Sequence, residues 1–284
     1  MTIIGRGRHR FGRLLVAAIL LAVAAAGCGG ASPNVGRLSP NNRLGLPTGA
    51  YAGKPPIGWV LVVHGGAWEI IGSITVAETE PNADFFRAHG WATYNIDYRR
   101  GAQSLPDVLS AYDHLRATIP AGAPVCAWGA SAGGNLVMLL AADRPELQCV
   151  ISQAGPTDLT TIATQPAGPP GKESSVTPTE LYRDYAVPLF GADHLSAWSP
   201  VKLASHIHAQ LLLGASSIDP TVPIEQMREM QAALPGRTTA IVLAGARTTP
   251  LNFTHASVTA AALAAWQRAE LRLLASTAAR GSRS

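Results

Sequence analysis

Charged residues are scarce, 14% of the 284-residue chain, while hydrophobic residues make up 47% of it. That balance excludes general disorder and argues for a well-filled core, with length for one large α/β domain or two small ones. A basic stripe is lacking too. The formal charge of +4 traces to Arg6, Arg8, Arg10 and Arg13, in a stretch before residue 28 that holds no acid. Beyond that stretch 18 Lys and Arg stand against 18 Asp and Glu, which leaves nucleic-acid binding without an electrostatic basis. Internal repeats are absent, and cysteine is rare, with only Cys28, Cys126 and Cys149. The apolar run at residues 14–26 is also too short to span a bilayer, which takes roughly 20 residues.

What that run does fit, behind its four arginines and ended by Gly27, is a signal peptide over 1–27. Ala25, Ala26 and Gly27 directly before Cys28 resemble a bacterial lipobox, with Ala where Leu is usual at its first position. On that reading Cys28 is acylated, becomes the mature N-terminus and anchors the protein to the membrane through lipid. Ordinary cleavage after an Ala-x-Ala site and an uncleaved anchor are the other readings, and the first of these also exports the protein. The Gly, Ser, Pro and Asn-rich stretch 28–43 suits a flexible tether, and the folded domain is expected over 44–284.

Within that domain, short apolar runs alternate with longer amphipathic ones, the pattern of a mostly parallel sheet covered by helices on both faces. Strands are expected at 59–64, 92–96, 124–128, 149–153, 210–213 and 239–243. Helices are expected at 83–88, 105–119, 132–142, 224–234 and 256–276. The interval 156–200 breaks the alternation, with a short helix expected at 180–186, and reads as a cap or lid insertion.

Two motifs carry chemistry. Gly129-Ala130-Ser131-Ala132-Gly133 fits the Gly-x-Ser-x-Gly nucleophile elbow, with an apolar strand before it and a helix-forming run after it. The small residues around Ser131 suit a strained turn that exposes a hydroxyl; a turn that merely packs closely is the competing explanation. Upstream, His64-Gly65-Gly66-Ala67-Trp68 follows a buried strand, and two glycines there let backbone N–H groups converge on a developing oxyanion. Gly65, Gly66 and Ala132 are the expected donors. His64 reads as a structural residue that holds this loop.

These motifs, with Asp97-Tyr98-Arg99 closing the strand between them, resemble the esterase/lipase branch of the α/β-hydrolase superfamily. That branch includes hormone-sensitive-lipase-like, bacterial feruloyl-esterase-like and kynurenine-formamidase-like enzymes. The resemblance covers roughly residues 57–270 and implies an α/β-hydrolase fold, no cofactor, and a structural role for Asp97. It also implies the chain order Ser, acid, His. Asp219, in Asp219-Pro220-Thr221-Val222-Pro223 after a buried strand, is the favoured acid, with Asp158 as its rival. His255 is the expected base, since no other histidine lies downstream of Asp219. His206 and His208 form a pair without an apparent third ligand, so no metal site is expected.

The expected activity is cleavage of a small-molecule carboxylic ester through an acyl-enzyme. Amide or peptide cleavage with the same triad, and a non-catalytic binding role on the same fold, stay as alternatives. Cys126 and Cys149 fall on strands that should be adjacent, and they form either a disulfide or two buried free thiols. Nothing in the sequence sets the oligomeric state.

Overall fold

The structure, a computed structural model, describes residues 36–69, 75–170, 174–246 and 251–281. The expected signal peptide and Cys28 lie outside the described residues.

Seven strands form one sheet in the order β1-β3-β2-β4-β5-β6-β7. They are β1 (Arg43–Gly45), β2 (Trp59–Val63), β3 (Ala92–Ile96), β4 (Val125–Ala130), β5 (Cys149–Gln153), β6 (Gln210–Ser216) and β7 (Thr238–Leu243). All neighbours are parallel except β1, which runs antiparallel to β3 at the edge. The period-2 alternation of side chains sends Leu61, Val63, Val125 and Ala127 to one face and Val60, Val62, Cys126 and Trp128 to the other. Helices α2 (Ser104–Thr118), α3 (Ala132–Asp143) and α4 (Ile224–Ala233) cover the first face. Helices α1 (Val76–Ala88) and α5 (Ala260–Gly281) cover the second. Buried on both faces, the central strands read as continuous apolar runs.

The chain order reverses around β2, which pairs with β3 on one side and β4 on the other. In a doubly wound sheet this switch point is where a crevice opens beyond the carboxyl ends of the strands. The loops after β2 and β4 flank it here.

Four elements depart from the sequence expectation. Residues 256–258 are a strand, β9 (Ala256–Val258), paired antiparallel with β8 (Leu251–Phe253), so the last helix starts at Ala260 and not at 256. Helix α1 begins at Val76, capped by the Thr75 side chain, seven residues before the expected start at 83; Pro81 inside it interrupts the periodic signal. The short helix expected at 180–186 is the middle of a longer helical run over 178–190, wound there as a π-helix. Residues 36–42, expected as part of the flexible tether, lie against the domain. Ser39 and Asn41 donate to Asp97, Arg37 N–H donates to Asp107 at 2.6 Å, and Asn42 accepts from the Asp97 N–H. The polar residues that suggest a loop are here satisfied chiefly by the carboxylates of Asp97 and Asp107.

Cys126 and Cys149 sit opposite each other in the β4–β5 register, both 0% exposed, and are joined in a disulfide with a Cα–Cα distance of 4.6 Å.

Candidate active site

The strand-turn-helix from β4 to α3 puts Ser131 on a turn with φ 53° and ψ −123°, a conformation L residues rarely adopt. Its N–H donates to Gln153 O at 2.9 Å, tying the turn to the end of β5, and its own carbonyl accepts from Asn135 N–H to start the helix. Glycine is required behind it: a Cβ on Gly133 would run into the carbonyls of Val63 and His64 at the end of β2. The helix therefore packs against the strand end only because residue 133 has no side chain.

On the other side of the serine, a Cβ on Gly65 would stand 3.0 Å from Ala130 O and 3.1 Å from Ser131 Cβ. Gly65 is thus pressed directly against the nucleophile turn. The loop that carries it is held from beneath: Tyr98 Oη donates to the carbonyls of His64 and Gly65, each at 2.9 Å. His64, 1% exposed, stacks on the Tyr98 ring at 4.3 Å and bonds Gly65 O and Asp97 through its two ring nitrogens. The His64 hydrogen bond holds the Asp97 carboxyl down at about 2, with Asn41 and Ser39 reinforcing it against the burial that alone would raise it. Asn135 adds a second tie. It accepts from Trp68 Nε1 at 3.1 Å and donates to the carbonyls of Pro156 and Trp198 at 3.0 Å, locking the glycine loop, the helix and the insertion together.

The structure brings Ser131, His255 and Asp219 together. His255 Nε2 lies 2.8 Å from Ser131 Oγ, and His255 Nδ1 lies 3.2 Å from Asp219 Oδ2. Asp219 is 2% exposed, and its other oxygen accepts the N–H groups of Thr221 and Val222 at 2.8 and 2.9 Å. With Asp219 as acceptor, Nδ1 carries the proton and Nε2 is left to accept from the serine hydroxyl. The histidine arrives on an unexpected support. It sits at the tip of the β8–β9 hairpin, with Thr254 at φ 20° and itself at φ 63°, rather than on a simple loop between strand and helix.

Asp158 stands elsewhere: its carboxylate pairs with Lys202 Nζ at 2.7 Å and accepts from Thr160. Gly65 and Gly66 line the cleft beside Ser131, and Ala132 opens α3, where a first-turn N–H has no intrahelical acceptor. Among the described residues no group of three or more His, Cys, Asp or Glu is arranged to hold a metal. Six non-glycine residues take positive φ among those described: Ala67, Trp68, Ser131, Ala154, Thr254 and His255. All follow β2, β4 or β5 or form the hairpin tip, so backbone strain gathers around this one site.

The cleft over the triad has a volume of about 810 Å³. The insertion supplies Val176, Leu181 and Tyr185 to one wall. The opposite arm runs between α1 and α5 and is lined by Phe85, Trp128, Trp266, Gln267 and Glu270, none of which the motifs single out. A sequence signal for Glu270 exists: it occupies the buried stripe of α5 between Trp266 and Leu274, at spacing i, i+4, i+8, where an acid is out of place.

The structure resembles a puromycin-hydrolysing peptidase of Mycobacterium tuberculosis at 19% identity and TM-score 0.64, over 83% of this chain and 37% of that one. The chain thus spans little more than a third of that protein. It resembles carboxyl esterase 2 of the mycorrhizal fungus Tuber melanosporum at 17% identity and TM-score 0.61, over 82% of this chain and 80% of that one. A monoacylglycerol lipase of Paleococcus ferrophilus matches at 18% identity and TM-score 0.57, over 85% and 99% of the two chains. The fold is therefore that of the α/β hydrolases, shared across ester and peptide substrates. No curated protein matches the sequence significantly. The model of the prolyl oligopeptidase family matches residues 85–273, well over half of the chain, and the chain belongs to that family.

Proposed function

We propose that the protein hydrolyses carboxylic esters, with Ser131 as nucleophile, His255 as general base and acid, and Asp219 as the group that orients and stabilises the imidazolium. The observation that carries this reading is the continuous hydrogen-bonded line from Ser131 Oγ through the His255 ring to Asp219. As Ser131 Oγ attacks the carbonyl carbon, His255 Nε2 takes its proton, and the carbonyl oxygen becomes an oxyanion facing the N–H groups of Gly65, Gly66 and Ala132. Each such donor is worth about 3 kcal/mol of barrier. Collapse expels the alkoxide, which takes the proton from His255. Water then repeats the cycle on the acyl-enzyme and releases the acid. No cofactor enters.

A second reading, amide or peptide cleavage by the same residues, is favoured by the membership of the prolyl oligopeptidase family. A panel of nitrophenyl esters of increasing chain length beside matched anilides decides between the two. Ester kcat/KM should exceed anilide kcat/KM by more than the intrinsic reactivity difference of the substrates, and the reverse result selects the peptidase. Ser131→Ala should lose both turnover and labelling by a fluorophosphonate; labelling that survives would remove the assignment.

The same proposal places the enzyme at the cell envelope, exported by the 1–27 segment and held by lipid on Cys28. Cys28→Ser should move it out of the membrane fraction or block processing. An unchanged distribution with normal processing would refute the anchor.

A further inference from the structure

The arm of the cleft between α1 and α5 has chemistry that the triad does not use. Helix α5 turns Leu263, Trp266, Gln267 and Glu270 toward it, the i, i+3, i+4, i+7 stripe of one helix face. Glu270 is 2% exposed yet lines the cleft, and its Oε1 accepts from Trp128 Nε1 at 3.0 Å. Across from it α1 contributes Phe85 and, at the mouth, Glu78. Among the described residues lining the cleft there are two glutamates and no lysine or arginine. A carboxylate entering this arm finds two acids and, among the described residues, no cation. An ammonium finds a buried carboxyl and three aromatic rings.

We propose that this arm is a substrate-recognition subsite for a protonated amine, with Glu270 as its counter-ion and Phe85, Trp128 and Trp266 as its walls. This deepens the ester-hydrolase reading and rests on it for the position of the scissile bond. Three physical points support it. First, burial pushes the Glu270 carboxyl up to about 8, while the indole N–H groups of Trp128 and Trp266 pull it back toward ionisation. The empty arm therefore holds a neutral acid at pH 7, and a cation entering it favours the anion that the two indoles are already placed to hold. Second, aromatic faces attract ammonium groups, most strongly where water is excluded. Third, the buried indole N–H groups need only a neutral acceptor, which an amide would supply, so an ionisable carboxyl in this helix stripe is more than a purely structural role requires.

Two isosteric substrates and one ligand test this. The p-nitrophenyl esters of 6-aminohexanoate and heptanoate differ only by NH₃⁺ for CH₃. The ratio of their kcat/KM values should favour the amine by about tenfold or more near pH 8, where Glu270 is half ionised. The preference should rise between about pH 6.5 and 9, since the ammonium stays charged until about 10.4. His255, Glu78 and Tyr185 are the other ionisable residues lining the cleft; His255 acts on both esters alike, so the ratio cancels its effect. Glu270→Gln, isosteric and neutral, should bring the ratio to within about twofold of one and remove its pH dependence. A ratio is unaffected by the fraction of protein that is folded.

Binding of pentylammonium, read by quenching of the fluorescence of Trp128 and Trp266, needs no turnover. It should saturate in the wild type and weaken at least about tenfold in Glu270→Gln. A ratio near one in the wild type, a preference that survives Glu270→Gln, or no pentylammonium binding would each overturn the subsite. Binding that is lost in Glu270→Gln, in a protein that turns over neither ester, supports the subsite and sinks the ester-hydrolase reading instead.

Discussion

Breaking the Cys126–Cys149 bridge isolates how the strand beneath the nucleophile is braced. The two residues are 23 positions apart in sequence, and a closed loop of about 24 residues restricts the unfolded chain by about 3.4 kcal/mol in the chain-entropy treatment. For a domain of this size each kcal/mol moves the melting temperature by about 2–4 °C, so the reduced protein should melt about 7–14 °C lower. Both sulfurs are fully buried, so the reduced form is prepared by refolding in reductant rather than by adding it to the native protein. Calorimetry then compares oxidised and reduced samples of identical sequence, which keeps packing volume constant. The double variant C126A/C149A should fall lower still, because it also empties volume in the core shared with Trp128 and Trp266. Activity at 25 °C should persist in the reduced enzyme, since neither cysteine lines the cleft. Oxidised and reduced samples that melt within about 2 °C of each other would refute the reasoning. So would two alkylated thiols in the unreduced protein by intact mass.

Three further outcomes follow from the geometry. Asp219→Asn should cost about 10⁴-fold in kcat through the wrong histidine tautomer, whereas Asp158→Asn should spare chemistry because Lys202 is its partner; the opposite ranking would reassign the acid. Gly133→Ala should destabilise by more than about 3 kcal/mol or prevent folding, because the added methyl meets the backbone of β2, and denaturant unfolding checks it. Asp97 has a folded pKa of about 2 below its unfolded 3.8, so its contribution is complete above about pH 4 and disappears as pH falls through about 2. That contribution is about 2 kcal/mol, and Asp97→Asn should flatten the acid limb of a stability–pH curve between those values.

How much of this was legible in the sequence depended on how local the cause was. The β4–Ser131–α3 segment reads directly because strand, turn glycines and helix are contiguous and each local preference agrees with the fold. Strand positions in the parallel sheet follow from continuous apolar runs to within a few residues. The triad partners come from chain order, which places Asp219 and His255 without saying what carries them. The hairpin beneath His255 leaves almost no trace: its strands are three residues each, and its turn residues, Thr254 and His255, are not the glycine or asparagine that positive φ favours. Strand β1 is equally short and is defined by its pairing with β3 alone. Beyond the out-of-place acid in the α5 stripe, the α1–α5 arm of the cleft leaves no mark in the sequence, since Phe85, Trp128 and Glu270 are 43 or more positions from one another and meet only through the tertiary fold.

The hairpin also divides the site into parts of unequal durability. Ser131 and Asp219 follow central strands of the sheet, whose opening is tied to global unfolding. His255 rides on a separate two-stranded sheet of three pairs, set into the second core by Phe253 and Val258 and tied by backbone hydrogen bonds to residues 244–246 after β7. Small units of this kind open with less free energy than the core they rest on. Heating should therefore separate two thresholds, a lower one at which the base moves away from Ser131 and a higher one at which the sheet melts. Between them should lie a folded state with its nucleophile intact but without its base, recovered on cooling without refolding.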